Sequence, residues 1–335
     1  MINYQGRATT GQHLEDLACG YWLSETLFAA LRLELFAHLE PGPLPLAGLA
    51  RRADCQEAPL ARLLLALEGL GLVECEAGGW RNAPLASRHL VPDQPEFLGD
   101  FLLYRRYLTP SWHDLAPRVA GRELAPELSR EDDYQTRTYH YVRALDQLAR
   151  VKAVEIERRL TADAWAGPIL DIGGGAGAVS RRLRRPGETV VLLELPEVLS
   201  AARRLYPQPE DWRGIAGEEG DFRDPHRPAG RRFGLIIMAN FLHTYEPEKA
   251  RRLTAKAAGL LAPDGLLLIH DYFPDRMPRQ GRLYDLNMLL NTAAGVCHPA
   301  QDVSSWLAGL GLVPQTLDLP SDSGLILARR PPSCP

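Results

Sequence analysis

The segment Ile169-Leu170-Asp171-Ile172-Gly173-Gly174-Gly175-Ala176-Gly177 constrains this chain more than any other. A short apolar run that breaks into glycines and then into a helical pattern is a strand–turn–helix unit. In open α/β sheets that turn faces the crevice where ligands bind. Downstream, short apolar runs recur at Thr189–Leu195, Phe233–Ala239 and Leu266–His270, with helices expected at 177–185, 197–206 and 246–261. This alternation predicts an α/β domain, a doubly wound and mostly parallel sheet covered by helices on both faces. Two last strands, near Leu312–Leu319 and Gly324–Arg329, are joined by Pro-Ser-Asp-Ser. So tight a link makes them a hairpin and puts one antiparallel strand in the sheet.

The N-terminal part reads differently. Apolar residues recur at helical spacing from His13 to His38, short helices are expected over Leu46–Ala53 and Pro59–Leu70, and Gly71 to Arg81 forms two short strands around Gly78-Gly79. Helices followed by a small hairpin make a winged-helix pattern. A DNA-reading version needs a basic, polar recognition helix. The helix at 59–70 instead carries only Arg62 and Glu68 among apolar side chains, and the net charge is -4. Dimerisation is therefore expected, and nucleic acid is not an expected partner. Residues 85–165 read as mainly helical with breaks near Pro110, Pro117 and Pro126, and Tyr139–Leu160 as one long helix. The expected division is a winged-helix dimerisation domain over 1–100, a helical linker over 101–160 and a ligand-binding α/β domain over 161–335.

The five cysteines lack CxxC or zinc spacing, so neither a disulfide framework nor a metal is expected. No apolar run is long enough to span a membrane, and residues 1–16 lack a signal core. A cytoplasmic protein is the expectation.

The glycine loop alone does not name its ligand, because Gly173, Gly175 and Ala178 also satisfy dinucleotide spacing. Asp171 discriminates. A carboxylate just before the loop repels a pyrophosphate but attracts a ligand bearing ammonium and sulfonium groups, which favours S-adenosylmethionine over a nicotinamide cofactor. Glu194 ends the next strand, where a carboxylate accepts ribose hydroxyls. Gly220-Asp221-Phe222 follows one element later, an acid for the adenine amino group and a ring to cover the base.

With these motifs in order, joined by Leu33-Glu34-Leu35-Phe36, Glu194-Leu195-Pro196-Glu197-Val198, Phe241-Leu242-His243 and Leu261-Ala262-Pro263-Asp264-Gly265, the chain resembles the small-molecule O-methyltransferases with a winged-helix dimerisation domain. That resemblance spans most of the sequence. It implies a seven-stranded class I methyltransferase sheet, S-adenosylmethionine as cofactor, a small aromatic hydroxyl as acceptor, and a homodimer. In cofactor binding it adds Leu195, Asn240 and Tyr245 to Asp171, Gly173, Gly175, Glu194, Asp221 and Phe222. It further implies His243 as general base, oriented by Asp271, while a second flanking glutamate of the family falls on Cys297. Histidine suits the chemistry, since a phenol of pKa ~10 gains from a base poised near neutrality.

The sequence also departs from the family. Thr244-Tyr245 stand where Asp or Asn and then Trp are usual, and Cys297-His298 interrupt the acceptor stretch. C-methylation of a small aromatic or tetrapyrrole-like acceptor, or an idle S-adenosylmethionine-binding module, therefore stays open. The stretch from Pro274 to Val296 is expected to form a lid over the acceptor, with Asn287 and Asn291 at i,i+4 and Met288 between them. Tyr139, Tyr141 and Arg143 on the linker helix lie where the family touches cofactor or acceptor.

Overall fold

The computed structural model describes residues 11–76, 78–122, 134–160, 165–228, 230–320 and 323–331. The chain divides into two compact units, residues 1–106 and 107–335. The expected break at Pro126 lies outside the described residues.

The first unit runs α1 (Gly11–Ala18), α2 (Tyr21–Arg32), α3 (Leu35–Leu39), α4 (Leu46–Arg52), α5 (Glu57–Gly69), the strand pair β1 (Val73–Glu76) and β2 (Gly79–Asn82), then α6 (Pro84–His89) and α7 (Gly99–Tyr107). Its core forms because α5 repeats an apolar side chain on one face. Leu60, Leu64 and Leu67 are fully buried there against Leu35, Phe36, Leu39, Leu49 and Trp80. The wing is the antiparallel β1–β2 pair, in register Val73 to Asn82 through Glu76 to Gly79, and Leu44 bridges to Trp80. In contrast, α1 buries nothing, and Leu14, Leu17, Tyr21 and Trp22 are more than half exposed.

The second unit begins with α8 (Thr109–His113) and α9 (Leu115–Val119). The helix breaks expected near Pro110 and Pro117 fall at Leu108 and Asp114, and each proline lies in the first turn of the helix that follows, where a missing N–H costs nothing. The long helix α10 follows (Tyr134–Glu157), and then β3 (Ile169–Ile172), α11 (Ala178–Leu183), β4 (Val190–Glu194), α12 (Pro196–Leu205), β5 (Ile215–Glu219) and β6 (Phe233–Ala239). The chain continues through α13 (Pro247–Gly259), β7 (Leu261–Asp271), α14 (Pro278–Asn291), α15 (Ala300–Gly309), β8 (Val313–Leu319) and β9 (Ser323–Arg329).

The seven strands lie in the order β5-β4-β3-β6-β7-β9-β8, with β9 antiparallel to both neighbours and all other pairs parallel. Strand alternation sorts the core. Leu170, Ile172, Ile236, Met238, Leu267 and Ile269 face α13 and α15, while Ile169, Leu235, Ile237, Leu266 and Leu268 face α10, α11 and α12. The order reverses between β3 and β6, so the crevice opens at their C-terminal ends. Among the described residues no helix is long and apolar enough to cross a membrane, and no group of three or more His, Cys, Asp or Glu side chains is arranged to hold a metal.

Candidate active site

The residues expected to bind cofactor or move a proton lie at the C-terminal strand ends, while Tyr141 stands on α10, Asn287, Met288 and Asn291 on α14, and Cys297 in the loop before α15. β3 delivers Asp171 and the glycine loop, β4 delivers Glu194, β5 leads to Asp221, β6 to Asn240 and His243, and β7 to Asp271. The loop has to be glycine. Gly175 stands at φ +61, and a Cβ on Gly174 would lie 2.3 Å from the Asp171 carboxyl carbon.

A cavity of about 120 Å³ opens between this loop and α10. Asp171, Gly173, Gly175, Glu194, Asn240 and Tyr141 all line it. Asp171 is 1% exposed, and neither carboxylate oxygen has a hydrogen-bond partner among the described residues. Ser180 is close enough to favour the anion, but its hydroxyl donates to the Gly177 carbonyl (3.2 Å). Burial pushes the Asp171 carboxyl up to about 6, with Ser180 and Arg181 pulling the other way. A buried carboxylate in a cavity lining, with no close hydrogen bond and only Ser180 and Arg181 near enough to favour its anion, is the expected signature of a site for a cationic ligand.

Glu194 is fixed differently. It accepts from the Gly175 N–H (2.9 Å) through Oε1 and from the Leu195 N–H (2.9 Å) through Oε2, so it ties the loop to the β4 end. Each oxygen keeps a lone pair for a further donor such as a ribose hydroxyl. Burial raises its carboxyl to about 7, opposed by the two backbone donors and assisted by the negative charge of Asp171 and Glu197. Asn240 sits in left-handed backbone (φ 53), donates its N–H to the His270 carbonyl (2.8 Å), and has a buried Oδ1 without a partner among the described residues.

Asp221, Phe222, Leu195 and Tyr245 lie outside the cavity lining. Asp221 accepts from the Arg223 side chain (2.6 Å) and backbone N–H (2.7 Å), and these bonds hold its carboxyl below the usual range. Phe222 is buried, edge-on to Phe241, with Lys256 over its ring. Phe241 in turn meets Tyr245 edge-on.

His243, in a single helical turn after β6, is 5% exposed. Its Nδ1 lies 2.5 Å from Asp271 Oδ1, and its backbone N–H donates to Oδ2 (3.3 Å). Burial acts to raise the Asp271 carboxyl, but the charge and hydrogen bond of His243 and the Tyr272 N–H (2.8 Å) outweigh it, so Asp271 stays below the ordinary range. A carboxylate at Nδ1 places the proton there and leaves Nε2 as the basic nitrogen.

Comparison with known proteins places the chain in a family. Residues 15–92 match the O-methyltransferase dimerisation domain, and residues 126–312 match the O-methyltransferase domain. The chain belongs to the O-methyltransferase family. Acetylserotonin O-methyltransferase of Mus musculus is 32% identical over 282 residues, covering 76% of this chain and 71% of that protein. The 3-hydroxy-5-methyl-1-naphthoate 3-O-methyltransferase of Streptomyces sahachiroi is 28% identical over 318 residues, 89% of this chain and 88% of its own. The crystal structure of human N-acetylserotonin methyltransferase in complex with S-adenosylmethionine superposes with a TM-score of 0.82 at 26% identity, covering 97% of this chain and 99% of that one.

This O-methyltransferase has an aromatic roof beside His243. Tyr284 of α14 meets the imidazole edge-on (5.3 Å) and stacks on Tyr272 (4.0 Å between centroids), with Met288 and Cys297 buried around them. Cys297 donates its N–H to Asp285 (2.7 Å). Burial, with the charges of Asp271 and Asp285, pushes its thiol up, so it stays protonated. His298 bonds the Leu242 carbonyl (3.2 Å) through Nε2 and lies edge-on to Trp306, bracing the turn that carries His243. Asn291 donates to Asn287 (3.1 Å) and accepts from Ser111 (2.9 Å), so this pair stitches α14 to α8.

Sequence reasoning overlooked two further polar residues in the cavity lining, Lys152 and His270, which meet at Ser323 Oγ. The alternation of β7 was the available signal for His270, because Asp271 and His270 must face opposite sides of the sheet.

Proposed function

We propose that this enzyme transfers the methyl group of S-adenosylmethionine to a hydroxyl of a small aromatic metabolite, with His243 as general base and Asp271 as its orienting carboxylate. The observation that carries the reading is the buried His243–Asp271 contact of 2.5 Å at the C-terminal ends of β6 and β7, on the side of the sheet order where β3 gives way to the glycine loop. The residues present suit the cofactor. Asp171 offers an unpartnered carboxylate to a cation, Glu194 offers free lone pairs to ribose hydroxyls, and Asn240 offers an unpartnered acceptor. When bound, S-adenosylmethionine supplies a sulfonium-activated methyl group for in-line displacement. The chain itself aligns the acceptor, takes the hydroxyl proton on Nε2 of His243, and spreads the resulting positive charge onto Asp271. The Tyr272–Tyr284 stack favours a flat aromatic acceptor beside the imidazole.

The exposed apolar side chains of α1 and α2, in the segment that matches the dimerisation domain, support a homodimer. The deciding experiment is His243→Ala, assayed with a phenolic acceptor and titrated with S-adenosylhomocysteine. Turnover should fall by about 10²–10⁴ with cofactor affinity within a few-fold of wild type. Unchanged turnover would remove the base from the mechanism.

A further inference from the structure

The glycine loop is pinned from two sides. On one side the Gly175 N–H is tied to Glu194 (2.9 Å). On the other, the Ala176 carbonyl accepts from Nε of Arg181 in α11 (2.8 Å). Ala176 is buried, and no backbone N–H of the described residues donates to its carbonyl, so the guanidinium supplies the partner that a buried carbonyl needs. Gly175 and Gly177, on either side of Ala176, both stand in left-handed backbone and carry no side chain that could hold them there. The shape that the loop presents to the cavity is therefore set by bonds from outside it.

Arg181 is itself held in a slot. Its guanidinium lies over the rings of Tyr206 (4.3 Å) and Trp212 (4.9 Å), and Nη1 donates to the Asp211 carbonyl. Trp212 Nε1 donates to the Tyr206 carbonyl (2.8 Å), which closes the segment between α12 and β5 on itself. Tyr206 donates its hydroxyl to Asp146 of α10 (2.9 Å), and Arg150 pairs with the same carboxylate (3.1 Å). Asp146 is buried in the cavity lining, whereas Arg181 is not part of that lining. The slot thus joins the helix on one wall of the cavity to the loop on another, and Arg181 is the side chain that reaches the loop.

We propose that Arg181, clasped by Tyr206 and Trp212, is a positioning residue for cofactor binding, holding the glycine loop in its ligand-ready shape through the Ala176 carbonyl. The proposal rests on the cofactor reading given above and deepens it. A loop already in shape spares the ligand the cost of ordering it, so loss of Arg181 is felt as lost affinity.

The test is calorimetric titration of the full-length protein with S-adenosylhomocysteine, well below the melting temperature, with far-UV circular dichroism as the check on folding. Arg181→Met keeps the aliphatic stem between the rings and removes every donor. It should weaken binding by about 10–30-fold with a native spectrum. Trp212→Leu leaves the donor in place but opens the slot, and should weaken binding by about three- to tenfold. The double variant should bind within about twofold of Arg181→Met alone, because the ring acts only through the cation. Unchanged affinity in Arg181→Met, whatever its melting temperature, would make the arginine a brace of the fold alone and overturn the proposal. Losses that add in the double variant would overturn it too. Should Arg181→Met not fold, Trp212→Leu decides, and unchanged affinity there overturns the proposal. Failure of wild type to bind S-adenosylhomocysteine would instead sink the cofactor reading itself.

Discussion

Asp171→Asn should produce a protein that is more stable and binds its cofactor worse. In the unliganded protein the carboxylate is buried and without a hydrogen-bond partner among the described residues, and its pKa rises from 3.8 to about 6. A carboxyl whose folded pKa lies above its unfolded one stabilises the fold at low pH, and that stabilisation is lost as pH rises through about 6. At pH 8 the ionised group therefore opposes folding by about 3 kcal/mol, two pKa units and a fraction at ~1.4 kcal/mol each. Asparagine keeps the volume and cannot ionise, so it resembles the protonated acid. The variant should melt roughly 5–10 °C higher at pH 8, with the gap shrinking to about half at pH 5. Scanning fluorimetry of both proteins across pH 5–8, without ligand, gives this number directly. Calorimetry should show S-adenosylhomocysteine binding weakened by about 10–100-fold. An Asp171→Asn protein no more stable than wild type at pH 8, or one with undiminished affinity, would refute the idea that this charge is held in reserve for a ligand.

Three further outcomes follow from the same structure. Glu194 sits at about 7 in the free protein, and ribose donors favour its anion, so affinity should fall from pH 8 to pH 6 by up to about tenfold per unit below 7; Glu194→Gln should bind weakly and lose that slope between pH 7 and 6. Gly174→Ala would drive a Cβ into the Asp171 carboxyl, so binding of S-adenosylhomocysteine should drop below detection while far-UV circular dichroism stays native. Trp22→Glu, at an exposed apolar position of α2, should shift the molar mass measured by light scattering from dimer toward monomer.

The parts of this molecule that were legible in its sequence are those carried by short, contiguous signals. β3, β4, β6 and β7 each hold a short apolar run, and the structure places the first three within a residue of their expected bounds, while β7 begins five residues earlier, at Leu261, because Leu261-Ala262-Pro263-Asp264-Gly265 is drawn into the strand. β5 gave no such signal, because Ile215-Ala216-Gly217-Glu218-Glu219 buries only Ile215 and lies at the sheet edge. The histidine and its carboxylate were readable because both follow strands that point into one crevice. The Lys152–Ser323–His270 group was not, since the lysine and serine are 171 residues apart and only the folded sheet brings them together. Phe222 illustrates a different limit. Its motif is plain in the sequence, yet whether the ring covers a ligand or fills the core depends on Phe241 and Lys256, which approach it only in three dimensions.

The hairpin that ends the sheet has a consequence for how the protein is made. β9 follows β8 in the chain but is inserted between β8 and β7. As the polypeptide leaves the ribosome, β8 emerges with no neighbour to pair with and waits for the residues that come after it. Ser323, which accepts from Lys152 of α10, arrives with β9. The buried hydrogen bond between Lys152 of α10 and the sheet therefore cannot form until β9 has been synthesised.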